Sequence, residues 1–333
     1  MGAPGFIEAV QGALRDAEAI CSAEALVSSG NFGLRILYRD PALAQDYARS
    51  FLRATPFPDT FAITLVSARD IDLSALAPLP RDQGRAHFGD GLTAIWTAGE
   101  RPILHVFDHV ARRALVWLAE DAAPAWELSR PACPLINAAA RDSAWTVAHG
   151  AAVGRAGRFL MLAGKGRAGK TTAALACACA GWDYSGDDYV FANSSGGEVL
   201  PLYSSARLRD DMSNRFPLLI SRTLHGVSRD FGEARHELDL SRTLGADRIC
   251  GGRIAAILLP RRQGAASVVF TSAPRAEAFS ALFTTTSASA PGSLRIYAEK
   301  LSALTARAPT WFVDTGPEPN AIPDAFERFL ESV

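Results

Sequence analysis

Residues 164 to 171 read Gly164-Lys165-Gly166-Arg167-Ala168-Gly169-Lys170-Thr171. Two glycines bracket four residues and are followed by a lysine and a hydroxyl side chain, the spacing of a phosphate-binding loop. Glycines let the backbone bend so that successive N–H groups face phosphate oxygens, and a helix starting there adds the positive end of its dipole. Lys170 is placed to neutralise the β- and γ-phosphates and Thr171 to ligate Mg²⁺, so ATP and Mg²⁺ are the cofactors this pattern calls for. Gly164, Lys165, Gly166, Arg167, Ala168 and Gly169 form the rest of the cradle, with Thr172 opening the helix. Of the chain's 34 basic residues only Lys165, Lys170 and Lys300 are lysines, so two of the three fall in this loop.

Seventeen residues past Lys170 stand Asp187 and Asp188, in Gly186-Asp187-Asp188-Tyr189. The spacing leaves room for one helix, one turn and a neighbouring strand. Adjacent strand residues point to opposite sides. Two consecutive carboxylates beside a phosphate loop can therefore divide the work, one holding the metal and the other accepting a proton from an attacking hydroxyl.

The loop needs an apolar strand before it and a helix after it. FLMLA at 159–163 and TTAALACACA at 171–180 meet that need. Around them the patterning predicts strands over 145–153 and 158–162, a helix over 170–180 and a strand over 189–192. Upstream it predicts a helix across the first 30 residues, strands at 33–38, 61–66, 92–96, 103–107 and 113–118, and a helix over 41–52. The strands there should be mostly antiparallel. Two prolines and an alanine run at 130–142 place a join near Ala140, giving an α+β domain over 1–140 and a second domain over 141–333.

The stretch from His149 to Asp188 resembles the kinase domain of the HPr kinase/phosphorylase family. His149, Gly150, Gly164, Gly169, Lys170, Thr171, Asp187 and Asp188 match its pattern. The resemblance implies an α/β fold, a P-loop kinase domain of the HPr kinase and phosphoenolpyruvate carboxykinase type with a mixed sheet flanked by helices, preceded here by the α+β N-terminal domain. It implies Mg-ATP-dependent phosphorylation of a serine hydroxyl, with Asp187 as base, Asp188 with Thr171 on the metal, and His149 beside the transferred group. The family's glutamate- and glycine-containing signature has no counterpart in LPLYSSARLRDDM at 200–212. The chain is more similar to the related branch that includes tailoring kinases of lasso-peptide pathways, whose acceptor is a serine of a precursor peptide.

Residues 201–262 hold 11 arginines against 7 acids. Phosphoryl transfer needs positive charge on the group in flight, which arginine supplies in a fork. Arg207 is the first choice for this role, with Arg209, Arg261 and Arg262 behind it. His225 and His236 lack metal-ligand spacing and are read as surface or loop residues, and the stretch from 213 to 235 as a flap or an irregular connection. Cys177 and Cys179, on the helix after the loop, are read as packing residues.

Over the 333 residues, 34 basic side chains face 35 acidic ones. That balance argues against a general nucleic-acid binder. No apolar run approaches the ~20 residues of a membrane span, and the first residues are too acidic and too polar for a secretory signal. The expectation is a cytoplasmic kinase, a homo-oligomer with no membrane or nucleic-acid partner, acting on a peptide or protein that carries a serine hydroxyl. Its rivals are a non-catalytic nucleotide sensor and a carboxykinase-like enzyme acting on a small acid. The second rival would need a metal-binding lysine upstream of the loop, and none is present.

Overall fold

The computed structural model describes residues 3–333 except 54–56, 58, 77–84, 89–90, 98–100, 222, 231–232 and 288–292. The chain has a mixed α/β fold and divides into two compact units, one over Met1–Asp142 and one over Ser143–Ser289 with Ser293–Val333.

The first unit runs α1 (Ala3–Ile20), β1 (Ala23–Ser29), β2 (Phe32–Tyr38), α2 (Pro41–Ala48), β3 (Leu52–Arg53), β4 (Asp59–Ser67), β5 (Arg85–Phe88), β6 (Leu92–Thr97), β7 (Ile103–Asp108), β8 (Arg113–Leu118), α3 (Ala125–Leu128) and α4 (Cys133–Ala139). Its strands form one sheet in the order β3-β1-β2-β4-β8-β7-β6-β5. The pairs β2-β4 and β4-β8 are parallel and the outer pairs antiparallel. Val10, Leu14 and Ala17 of α1 pack on Val66, Leu104, Val106, Leu115 and Trp117 of the sheet. The first helix ends ten residues earlier than the sequence patterning predicts. The alanines and leucine of Ala23–Leu26 suit a helix as well as a strand, but antiparallel pairing of β1 with β2 decides the matter. Gly30, at φ 60°, sits in the turn between them. Under this sheet lies a buried polar knot: Glu127 Oε1 accepts from Tyr47 Oη at 2.6 Å and the Ala132 amide at 2.9 Å, and lies 3.1 Å from His105 Nε2.

The second unit runs β9 (Trp145–His149), β10 (Ala151–Arg155), β11 (Arg158–Leu162), α5 (Lys170–Cys179), β12 (Asp183–Gly186), β13 (Tyr189–Asn193), β14 (Glu198–Leu200), β15 (Ser205–Arg209), α6 (Pro217–Ile220), β16 (Thr223–Asp230), β17 (Glu233–Asp239), α7 (Leu240–Leu244), β18 (Gly252–Arg261), β19 (Val269–Ser272), α8 (Arg275–Ser287), α9 (Leu294–Thr305), β20 (Thr310–Asp314) and α10 (Ile322–Ser332). Its main sheet follows the path β12-β10-β11-β18-β14-β13-β9, with β20 on β18 and β19 on β20. Alternation along β11 splits its side chains between two cores. Leu160 and Leu162 join α5 and α10 on one face. Phe159 and Met161 join α8 and α9 on the other. A separate three-stranded sheet, β15-β17-β16, packs with the first of these cores through Ala206, Leu208 and Leu238. The segment at 213–235 is thus not an irregular connection: it holds α6 and most of the β16-β17 hairpin. The strand expected over 145–153 breaks at Gly150, where an added Cβ would lie 2.7 Å from the Leu162 carbonyl oxygen.

Candidate active site

The phosphate loop joins β11 to α5. Gly164 at φ 152° and Gly169 at φ 107° take up backbone geometry that a side chain would strain, and Arg167 stands at φ 66° between them. Gly169 caps α5 without a side-chain hydrogen bond. The helix therefore offers the N–H groups of its first turn, Lys170, Thr171 and Thr172, and its positive end to an anion. Lys170 is buried and its Nζ donates to the carbonyl oxygens of Gly164 at 2.8 Å and Lys165 at 3.2 Å, so the ammonium folds over its own loop. Burial lowers the Lys170 pKa, while the charges of Asp187 and Asp188 pull it back up. Gly164 is buried, Ala168 and Gly169 are half-buried, and Lys165, Gly166 and Arg167 are exposed. Arg167 Nε donates to Glu233 Oε1 at 3.1 Å, which ties the loop to the β16-β17 hairpin.

Asp187 and Asp188 do not stand on a strand, as their spacing had predicted. They form a two-residue bend between β12 and β13. Gly186 makes the bend possible, because a Cβ there would lie 2.5 Å from the Tyr189 carbonyl oxygen. Two different environments result: Asp187 is 2% exposed, whereas the Asp188 side chain is 21% exposed. Asp187 Oδ2 accepts from the Arg207 amide at 3.2 Å. Its buried Oδ1 has no hydrogen-bond partner among the described residues. Burial and then the Asp188 charge push the Asp187 carboxyl up to about 7, against the pull of the Thr171 hydroxyl, the Arg207 amide and the Lys170 charge. A carboxyl held near neutrality is tuned to exchange a proton at physiological pH.

Arg207, on β15, is 6% exposed. Its Nε donates to Glu237 Oε1 at 2.9 Å, and its Nη1 lies 3.9 Å from Asp188 Oδ2. The β15-β17 register sets Arg207 directly across from Glu237. Glu237, fully buried, thus neutralises and orients the arginine. Buried charges need partners of this kind. Tyr184 of β12 donates from Oη to the Ser205 carbonyl at 3.1 Å, which holds the head of β15 against the strand that leads into the aspartate bend.

His149 ends β9 and is paired across the ladder with Tyr189, their rings 5.3 Å apart. The adjoining Gly150 amide donates to the Asp188 carbonyl oxygen at 3.1 Å, and the His149 amide donates to Thr286 Oγ1 at 3.0 Å. His149 is thereby placed next to the aspartate bend. The other arginines separate. Arg209 pairs with Asp211 at 2.6 Å on the surface, and Arg261 lies over the Phe312 ring and donates to Thr271. His236 is a strand residue, 8% exposed, with Nε2 2.8 Å from Asp210 Oδ1, and is not the surface or loop histidine the sequence had indicated. His225 lies in β16. Cys177 is buried as a packing residue should be, but Cys179 is exposed.

Sequence reasoning missed Glu237 and Tyr184. Glu237 left no trace that separates it from a solvated strand charge, since alternation with Leu238 sets it on the face opposite the core. Tyr184 reads as an ordinary core aromatic.

The residues fit a Mg²⁺-nucleotide. Mg²⁺ is held by one or two carboxylates, phosphate oxygens and water, with no need of an all-protein cage. The Thr171 hydroxyl and the Asp188 carboxylate are oxygen donors of the required type, and the buried Asp187 Oδ1 is an acceptor that a donor on a ligand would satisfy. Among the described residues no group of three or more His, Cys, Asp or Glu side chains forms a metal cluster, and no helix is long and apolar enough to cross a membrane.

No family model matches the chain, and a search of curated proteins finds no match. Among solved structures the chain is similar to the HPr(Ser) kinase/phosphatase from Coxiella burnetii, at 9% identity over 56% of this chain and 95% of that one, with a TM-score of 0.27.

Proposed function

We propose that this chain is a Mg-ATP-dependent kinase that transfers the γ-phosphoryl group to a serine-type hydroxyl of a peptide or protein, such as a lasso-peptide precursor. The observation that carries this reading is Asp187: a buried carboxyl with one oxygen anchored by the Arg207 amide and the other unpartnered, in the charge field of the phosphate-loop lysine. In the proposed reaction Asp187 Oδ1 takes the proton of the acceptor hydroxyl. The acceptor oxygen forms its bond to the γ-phosphorus as the bond to the β,γ-bridging oxygen breaks, and ADP carries away the negative charge. Lys170 and Arg207 neutralise charge on the group in flight. Glu237 holds Arg207 in place, and Gly186 and Tyr184 hold the bend and β15 in register. His149 flanks the bend and orients the acceptor. Thr171 and Asp188 would hold Mg²⁺, which supplies charge neutralisation between the β- and γ-phosphates when bound. We assign acceptor recognition or self-association to the first unit and place the protein in the cytoplasm.

The test offers γ-labelled ATP and Mg²⁺ to the protein with HPr, precursor peptides and free serine as acceptors, and locates the label by mass spectrometry. Phosphoserine on one acceptor class is the expected result and names that class. Tight ATP binding with no label on any of them would favour the nucleotide sensor.

A further inference from the structure

Lys170 and Arg167 of the phosphate loop are both held by the protein's own oxygens. Lys170 Nζ is turned onto the Gly164 and Lys165 carbonyls. Arg167 is gripped by Glu233 of β17: its Nε donates to Oε1 at 3.1 Å and its Nη2 donates to the same oxygen. The second oxygen of that carboxylate, Oε2, accepts from Arg235 Nη2 at 2.8 Å. Glu233 therefore stands between two guanidinium groups, and the charge of Asp211 pulls on Arg167 as well. Alternation along β17 explains the placement. Leu238 joins the core, so Glu233, Arg235 and Glu237 share the opposite face of the strand. On that face Glu237 holds Arg207, whose Nη1 lies 3.9 Å from Asp188 Oδ2. Glu233 thus offers its carboxylate to the loop from the side on which the transfer residues lie. The backbone of Arg167, at φ 66°, is in a region that a non-glycine residue keeps only where its surroundings enforce it, and the Glu233 pair is such a contact.

We propose that Glu233 is a built-in competitor of the phosphoryl donor: its carboxylate holds Arg167, and a polyphosphate binding the loop must take the arginine from it. This rests on the kinase reading above, which needs a loop that binds phosphates, and adds a device that sets how tightly. Competition is chemically direct, because a guanidinium meets carboxylate and phosphate oxygens with the same fork of N–H donors. The two side chains are 69% and 24% exposed, and ion pairs that open to water are weak. A ligand carrying several negative charges therefore breaks the pair, and the pair lowers affinity by a small factor without abolishing binding. Its re-formation favours departure of the nucleotide product.

The experiment titrates the full-length protein with Mg-ATP at low salt, where ion pairs weigh most. Wild type is compared with Glu233→Gln, Glu233→Asp, Arg167→Gln and the double variant Arg167→Gln/Glu233→Gln. Glu233→Gln removes the competing charge, whereas Glu233→Asp keeps the charge and draws it back by one methylene. Glu233→Gln should bind Mg-ATP about three- to fivefold more tightly than wild type, and Glu233→Asp about twofold more tightly. In the Arg167→Gln background the gain from Glu233→Gln should vanish, since Arg167 is no longer there to be released. Equal or weaker binding by both Glu233 variants would overturn the inference and make the pair a brace of the loop. A gain from Glu233→Gln that survives in the Arg167→Gln background would overturn it too, as the mark of a general charge effect. Failure of wild type to bind Mg-ATP would overturn the kinase reading, and this inference with it.

Discussion

The two adjacent aspartates differ because their surroundings differ. Asp187 is buried beside a second carboxylate, so its ionised form is disfavoured in the fold and its carboxyl rises to about 7 from a normal value near 3.8. A raised folded-state pKa fixes the sign of its effect on stability: Asp187 favours the fold while it is protonated, and that contribution is lost as pH climbs from about 4 through 7. Asp187→Asn, which keeps the shape and removes the charge, should therefore melt above wild type at pH 8, with an upper limit of about 4 kcal/mol for the stabilisation. The advantage should vanish near pH 4, where wild type is protonated as well. Thermal melts of the two proteins at both pH values check this, and a variant less stable than wild type at pH 8 would contradict the burial argument. The loop and the pair of acids were legible in the sequence because their chemistry is written in contiguous residues. What separates Asp187 from Asp188 was not, since it comes from burial in the folded chain, beside a backbone amide 20 positions on at Arg207. Nor was the fate of Arg261, whose stacking on Phe312 joins neighbouring strands β18 and β20.

At the scale of elements, the site depends on close backbone approaches that only glycine permits. Gly186 brings the aspartate bend within 2.5 Å of a carbonyl oxygen as judged by a virtual Cβ, and the obstructing atom is main chain, which cannot swing aside. Gly186→Ala should therefore push β12 and β13 apart, costing about 1–3 kcal/mol of stability. Because Asp187 moves with the bend, turnover should fall at least about tenfold even at temperatures where the variant is fully folded. Melting curves and initial rates measured together check this; an alanine variant with normal rate would show that the bend can shift without disturbing the chemistry. Periodicity located β11 and α5 correctly because an apolar strand and an alanine-rich helix have distinct patterns. It failed at β1, whose residues suit either state, and across Gly150, where the apolar pattern continues through a break at a glycine packed too close to the Leu162 carbonyl for a side chain. It also failed over β16, whose largely polar residues show no apolar alternation and are ordered by pairing with β17.

For the whole molecule, every residue assigned to phosphate binding and transfer lies in the second unit, which has its own cores on both faces of its main sheet. A fragment comprising residues 143–333 should therefore melt cooperatively and bind Mg-ATP within about threefold of the full chain, while the recognition of a macromolecular acceptor assigned to the first unit is lost. Calorimetry and titration of the fragment check this, and a fragment with no cooperative transition would show that the first unit is needed to complete the fold. The expectation of a join near Ala140 rests on the prolines and alanines there and on the change in patterning beyond them. The parallel centre β2-β4-β8 was not readable, because strand direction depends on connections that single-strand patterns do not encode. The central claim, that Asp187 is the base of a phosphoryl transfer, is tested most directly by the initial rate of label transfer from γ-labelled ATP to the best acceptor, with wild type and Asp187→Asn side by side and Mg-ATP affinity measured on both. The account predicts a loss on the order of 10²–10⁴-fold in rate with nucleotide affinity within about threefold of wild type. Transfer by Asp187→Asn at the wild-type rate would contradict it.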